Sequence, residues 1–225
     1  MLSSTSTTTK NGRKGGCLEM FNVKGDMKPI IKHLSKTQKK QIPFAAAQAI
    51  NNTLFDIMKA EKAQMPKKLD RPTPFTMKAF KINKAKKTEL IGDIHVMPER
   101  YKYLKYAIEG GTRTGNIGVP TKHAKLNKYG NIPMRKKGLI KNKNQFIGKI
   151  NNLSGVWERG HYSKSGSFTS KGKSASTALK LVVAFEKTVN YEKRFPFYKI
   201  AEGVARKKFQ RNFQKTLRRA IQTAR

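Results

Sequence analysis

Lys68-Leu69-Asp70-Arg71-Pro72-Thr73-Pro74-Phe75-Thr76 separates the longest helical apolar pattern in the chain from its first strand-like alternation. Pro72 and Pro74 fix their own φ angles and push the preceding residue out of the α region. Arg71 and Thr73 are therefore expected to be extended, and the helix before them to stop. Asp70, beside Arg71, is placed to tie the segment to neighbouring backbone amides. Taken alone, the stretch is a stiff helix-to-strand connector.

Upstream, Pro43 suits the first position of a helix that runs to Gln64. Ala47, Ile50, Leu54, Ile57, Met58 and Glu61 recur at helical spacing, flanked by Phe44 and Phe55. Ala45-Ala46-Ala47 and Ala49 favour helix and allow a close neighbour. Asn51-Asn52 is expected to be solvated or locally bonded, and Pro66 to end the helix. Before Pro43 the spacing predicts a short strand after Leu18, a helix from near Pro29 and a basic helical turn over Lys36–Gln41. Residues 1–17, rich in Ser, Thr and Gly, have too little apolar surface to fold alone and read as a flexible arm.

Downstream, Thr76–Lys84 and Thr88–Val96 alternate like an antiparallel hairpin with one wet face, Leu90, Gly92, Ile94 and Val96 lying on the other. Pro98 opens a helix to Ile108, and Gly110-Gly111 caps it. About 112–176 the pattern is weak and lysine-rich, which predicts a long irregular basic insertion. The clusters Leu139/Ile140, Phe146/Ile147 and Ile150/Leu153 allow a short helix there, and Gly160–Ser176 reads as a mobile loop. Leu179, Leu181, Val183, Phe185, Val189 and Tyr191 then keep strand spacing. Arg194-Phe195-Pro196-Phe197 turns into a last helix, Tyr198–Thr223, with Ala201, Ala205, Phe209, Phe213, Leu217 and Ile221 on one face. Arg206, Lys207, Lys208, Arg211, Lys215, Arg218 and Arg219 surround them as a cationic rail. The fold class expected is α+β: one domain over 18–225, an antiparallel sheet of three to five strands packed by the 43–64 and 198–223 helices.

The 225 residues hold 49 Lys and Arg against 13 Asp and Glu, a formal net charge of +36. Such a chain repels itself unless a polyanion or an acidic surface lies close. One cysteine, Cys17, precludes an internal disulfide. No apolar run spans a membrane, and the first residues lack a secretory apolar core.

No groups converge for catalysis. His33, His95, His123 and His161 lack metal-ligand spacing, and Asp70, Asp93, Glu99 and Glu109 form no co-facial set. No phosphate-cradling loop or nucleophile elbow is present, so no enzyme activity, metal or cofactor is expected. Base-reading modules are also missing. What remains is sequence-independent attraction for phosphate, from the last helix and the loops 121–149 and 164–173.

The ordered stretches QIPFAAAQAINNT (41–53), LDRPTPFT (69–76), YLKYAIEGGTRT (103–114), LNKYGNIP (126–133) and FPFYKIA (195–201) resemble the minor tail protein Z family of tailed bacteriophages. In layout they are similar to the phage tail-completion or neck proteins as well, and the resemblance covers roughly 18–225. It implies a structural virion protein, made in the host cytoplasm. Such a protein forms a homo-oligomeric ring with other tail, neck or portal proteins, beside the channel for genomic DNA. Asp70, Arg71, Pro72, Pro74 and Phe75, with Gly110, Gly111, Thr112 and Arg113, are the candidate assembly residues. The basic face of the last helix is the candidate surface for DNA or an acidic partner. A free sequence-independent DNA-binding or packaging protein is the alternative, and a basic nuclease or cell-wall hydrolase the third reading.

Overall fold

The computed structural model describes residues 20–24, 36–133, 144–162, 166, 168–169 and 178–223. The expected arm over 1–17, the helix near Pro29, Cys17, His33 and most of the 164–173 loop lie outside the described residues. The fold is α+β. It divides into two compact units, one within 1–109 and 193–225, the other within 110–192.

In the first unit, β1 (Met20–Lys24), β2 (Phe80–Asn83) and β3 (Ile91–Val96) form an antiparallel sheet in the order β1-β3-β2. Phe21 pairs with Ile94, and Phe80 with Val96, so these apolar side chains share one face. That face packs on two long helices, α1 (Lys36–Lys68) and α4 (Phe197–Gln222). Between α1 and β2 lies a single helical turn, α2 (Pro74–Met77), and after β3 comes α3 (Pro98–Ile108). Helix α3 opens on Pro98, and Gly110, at φ +78°, follows its C-cap Glu109 as a C-capping glycine should.

Helix α1 is longer than its periodicity predicts. It runs unbroken through Pro43 and carries Pro66 in its last turn. An interior proline costs about 3 kcal/mol in a lone helix. Here Ile42, Ala45 and Ala46 on either side of Pro43 are fully buried, and that packing holds the helix together.

The two long helices run antiparallel. Thr216 Oγ1 donates to the Ala45 carbonyl at 3.0 Å, and Asn212 Nδ2 reaches Thr53 Oγ1 and Asp56 Oδ2 at 3.1 and 3.0 Å. Fully buried Ala45, Ala46 and Ala49 let them approach. Asn51 is not merely solvated: its side chain makes two hydrogen bonds to the backbone of Ala85, at 2.8 and 3.0 Å. It thereby fastens the β2–β3 turn to α1. Gly92 completes the fit, since a Cβ there would meet Leu54 Cδ1 at 2.7 Å. At the far end of the core, Phe80 stacks with Phe195 and Phe197, at centroid distances of 6.2 and 5.6 Å.

The second unit corrects the expected irregular insertion. It is a five-stranded antiparallel sheet made of β4 (Gly111–Pro120), β5 (Gln145–Ile150), β6 (Leu153–Tyr162), β7 (Phe168–Thr169) and β8 (Ala178–Tyr191). The strand order is β4-β8-β6-β5, with β7 on the end of β6. Of the clusters that allowed a short helix, Leu139/Ile140 lie outside the described residues, and Phe146, Ile147, Ile150 and Leu153 belong instead to the β5–β6 hairpin. Asn151 and Asn152, at φ +47° and +63°, make its two-residue turn, which fits the primed turn types that match strand twist. A lysine-rich strand with few apolar residues looks like loop in a periodicity reading, because its stabilising contacts are cross-strand. The core here is small: Val156, Val182 and Val183, with Ala124, Ile132 and Phe185 against it.

Both ends of the second unit's segment meet in the first unit. The amides of Arg194 and Phe195 donate to the Ala107 carbonyl at 2.9 and 2.8 Å, closing the gap between α3 and α4.

Candidate assembly and polyanion surfaces

The Pro-rich stretch is a surface cap on the first unit. Helix α1 ends at Lys68, and Leu69 still donates to the Met65 carbonyl. Arg71 is not extended: its φ is +42°. A following proline excludes the right-handed α region, and the sharp exit from α1 selects the left-handed bend instead. Thr73, at φ −69° and ψ 158°, is extended and caps α2, its hydroxyl accepting from the Thr76 amide.

Asp70 does not tie backbone amides. It accepts two hydrogen bonds from the Arg71 guanidinium, at 3.0 and 3.1 Å. The Arg71 contact lowers the Asp70 pKa below the ordinary carboxylate value, and Asp70 raises that of Arg71. Phe75 is half exposed, with the Arg100 guanidinium 4.1 Å from its ring centroid. Arg100 Nε also donates to the Phe75 carbonyl at 2.9 Å. Thr76 Oγ1 and Tyr103 Oη stand 3.1 Å apart, joining α2 to α3. An exposed aromatic held under an arginine is the side-chain chemistry that anchors protein interfaces.

Gly111, Thr112 and Arg113 begin β4 in the second unit, all three exposed. Thr112 Oγ1 donates to Asn190 Oδ1 at 2.7 Å. The nearby YGN stretch has a local explanation. Asn127 Oδ1 accepts from the amides of Tyr129 and Asn131, and Gly130 takes φ +76°. It is a side-chain-capped turn.

Helix α4 separates its two chemistries cleanly. Ala201, Ala205, Phe209, Phe213, Thr216 and Ala220 are buried. Arg206, Lys207, Lys208, Arg211, Lys215, Arg218 and Arg219 are all exposed. Arg206 is neutralised by Glu202 at 2.6 Å, one turn earlier.

One pairing escaped the sequence reading. His95 Nδ1 lies 2.8 Å from Asp93 Oδ2, and Asn83 Nδ2 donates to both Asp93 oxygens, on the sheet face turned away from the helices. Period-two spacing, with both residues on one strand, was the available signal. No nucleophile is hydrogen-bonded to either residue among the described residues. Among those residues no cluster could hold a metal ion, and no helix is long and apolar enough to cross a membrane.

A carboxyl stands on the apolar stripe of α1, where the spacing put it. Glu61 is fully buried in the α1 face, and neither of its oxygens has a hydrogen-bond partner among the described residues. Burial pushes its pKa up to about 9. In the second unit, His123 is shifted the other way, below its ordinary value, by desolvation and then by Lys180 and Lys122. Comparison with family models, curated proteins and solved structures finds no match to this chain.

Proposed function

We propose that this chain is a structural virion protein of a tailed bacteriophage, completing the tail or the head–tail junction as a component of a homo-oligomeric ring beside the DNA channel. Its partners on this reading are tail, neck or portal proteins, and it carries out no catalytic step. One observation supports it most. Three of the five stretches behind the resemblance lie wholly in the first unit, and a fourth, YLKYAIEGGTRT, starts there in α3 and ends in β4. QIPFAAAQAINNT supplies the α1 face packed against α4, and LDRPTPFT caps α1 and leads into β2. YLKYAIEGGTRT runs from the second half of α3 through the capping Gly110 into β4, and FPFYKIA seats Phe195 and Phe197 against Phe80. The exposed Phe75–Arg100 contact and the start of β4 are the assembly surfaces on this reading.

Six copies in a ring would gather on the order of two hundred formal positive charges, given +36 per chain. That is tolerable only against a polyanion or acidic neighbours. A free DNA-binding or packaging-associated protein is the second reading, favoured by the cationic face of α4 alone.

The test is the mass in solution of the full chain, alone and mixed with the tail-tube and portal proteins of its own virus. Ring-sized species in the mixture are expected, and Phe75→Ala with Arg100→Ala is expected to weaken them. A chain that stays monomeric in every mixture and is missing from purified particles would overturn the reading.

A further inference from the structure

The outer face of α4 carries more information than its charge. Lys207, Lys208, Arg211, Lys215, Arg218 and Arg219 are exposed, and at 3.6 residues per turn they fall within an arc of about 120°. Buried Ala205, Phe209, Phe213, Thr216 and Ala220 occupy the opposite side of the helix. None of the six has an acidic partner within salt-bridge reach among the described residues; the pair on this helix, Arg206–Glu202, lies outside the arc. The row runs along about 18 Å of helix axis.

Charge of one sign on this scale selects its occupant. A second copy of the same face is repelled. Duplex DNA carries one negative charge per about 1.7 Å of axis, both strands counted, so an equal length of duplex holds on the order of ten phosphates for the six cations to meet. The arc holds no aromatic side chain on which a base could stack. Phe209 and Phe213 are buried, and Tyr198 lies edge-on against Phe197 at the other end of the helix. Single-strand binders rely on such stacking platforms, so phosphate is the feature this surface can grip. We propose that the outer face of α4 is a sequence-independent binding surface for the phosphate backbone of double-stranded nucleic acid. The proposal rests on the DNA-facing part of the reading above and not on ring formation.

The experiment follows binding of the full chain to a labelled mixed-sequence duplex by fluorescence anisotropy as salt is raised. Six phosphate contacts predict a log–log slope of about −5, with a matched single strand binding more weakly. Lys208→Gln, Arg211→Gln, Lys215→Gln and Arg219→Gln together are expected to make the slope shallower by about 3 to 4. Milder pairs, Lys207→Gln with Lys208→Gln and Arg218→Gln with Arg219→Gln, should each remove about 2. The same charge removed elsewhere, as Lys67→Gln, Lys68→Gln, Lys86→Gln and Lys87→Gln, should change it by less than about 1. Equal losses from both quadruple variants would overturn the proposal, as would absence of duplex binding or tighter binding to polyglutamate, which makes an acidic protein the occupant. Circular dichroism checks that each variant keeps its helices. Entry of the stripe variants into particles reads the assembly role separately: a variant that assembles but has lost duplex binding keeps the two apart.

Discussion

Glu61 is the residue whose placement most contradicts its chemistry. Its spacing with Ile57 and Leu54 puts it on the apolar face of α1, and it is as buried there as its neighbours. Leaving a buried polar group unpaired costs about 1–3 kcal/mol. Desolvation holds the carboxyl protonated to about pH 9 in the folded chain, against an ordinary value of 4.5. Across that window the folded state binds more protons than the unfolded state, so stability falls as pH rises from about 4.5 to 9. Thermal melts at pH 5 and pH 8 should therefore show a lower midpoint at the higher pH. Glu61→Gln should flatten this slope, and Glu61→Met should raise the midpoint at pH 8 by the equivalent of at least about 1–3 kcal/mol. An unchanged slope in the Gln variant would mean that other groups carry the pH dependence. Arg71 makes the complementary point: the proline after it restricts the backbone, but the path out of α1 selects φ +42°.

Among the elements, helices were legible and strands only in part. The expected last helix, Tyr198–Thr223, is observed as Phe197–Gln222, because its four-residue apolar recurrence is buried as a single face. The strand Ala178–Tyr191 was equally visible, yet its alternation is not simply buried. A register shift opposite β6, between Val156 and Trp157, brings the adjacent Val182 and Val183 both into the core and leaves Leu179 exposed. The spacing of Phe146, Ile147 and Ile150 allows a short helix as readily as the β5–β6 hairpin that forms. Its turn is the deciding element. Asn152→Gly creates the favoured Asn-Gly pair and should stabilise the second unit by about 0.5 kcal/mol. Valine at both turn positions should destabilise it by about 1–2 kcal/mol per residue, since β-branched residues resist positive φ. Trp157, the single tryptophan, is buried in this unit and reports its unfolding by fluorescence. Equal midpoints for the Gly and Val variants would show that the turn does not control the hairpin.

For the whole molecule, the second unit is an insertion between α3 and α4 whose entry and exit are joined in the first unit. Two amides, of Arg194 and Phe195, share the Ala107 carbonyl, so the chain ends left by removing 110–192 already lie together. Closing a loop this short costs little entropy. A chain in which Glu109 is joined to Lys193 through two glycines should keep the helical circular dichroism of α1, α3 and α4 and melt cooperatively. A disordered product would show that the first unit depends on the insertion. The same variant retains the α4 arc, so its duplex binding is expected to persist.

Local chemistry sufficed to specify the α+β class, the antiparallel hairpin β2–β3, both long helices, the capping glycine after α3 and the cationic face of α4. Each of these depends on periodicity, capping or net charge, which act over a few turns of chain. The three-dimensional packing settled the rest. It carried α1 through Pro43, turned Arg71 left-handed, bonded Asn51 to Ala85 across 34 residues, paired His95 with Asp93 and placed an unpartnered carboxyl in the core. It also made the lysine-rich segment a five-stranded sheet. The physical reason is common to all of them: cross-strand pairs, close backbone approaches and desolvation depend on residues far apart in the chain, and no short window of sequence contains both partners.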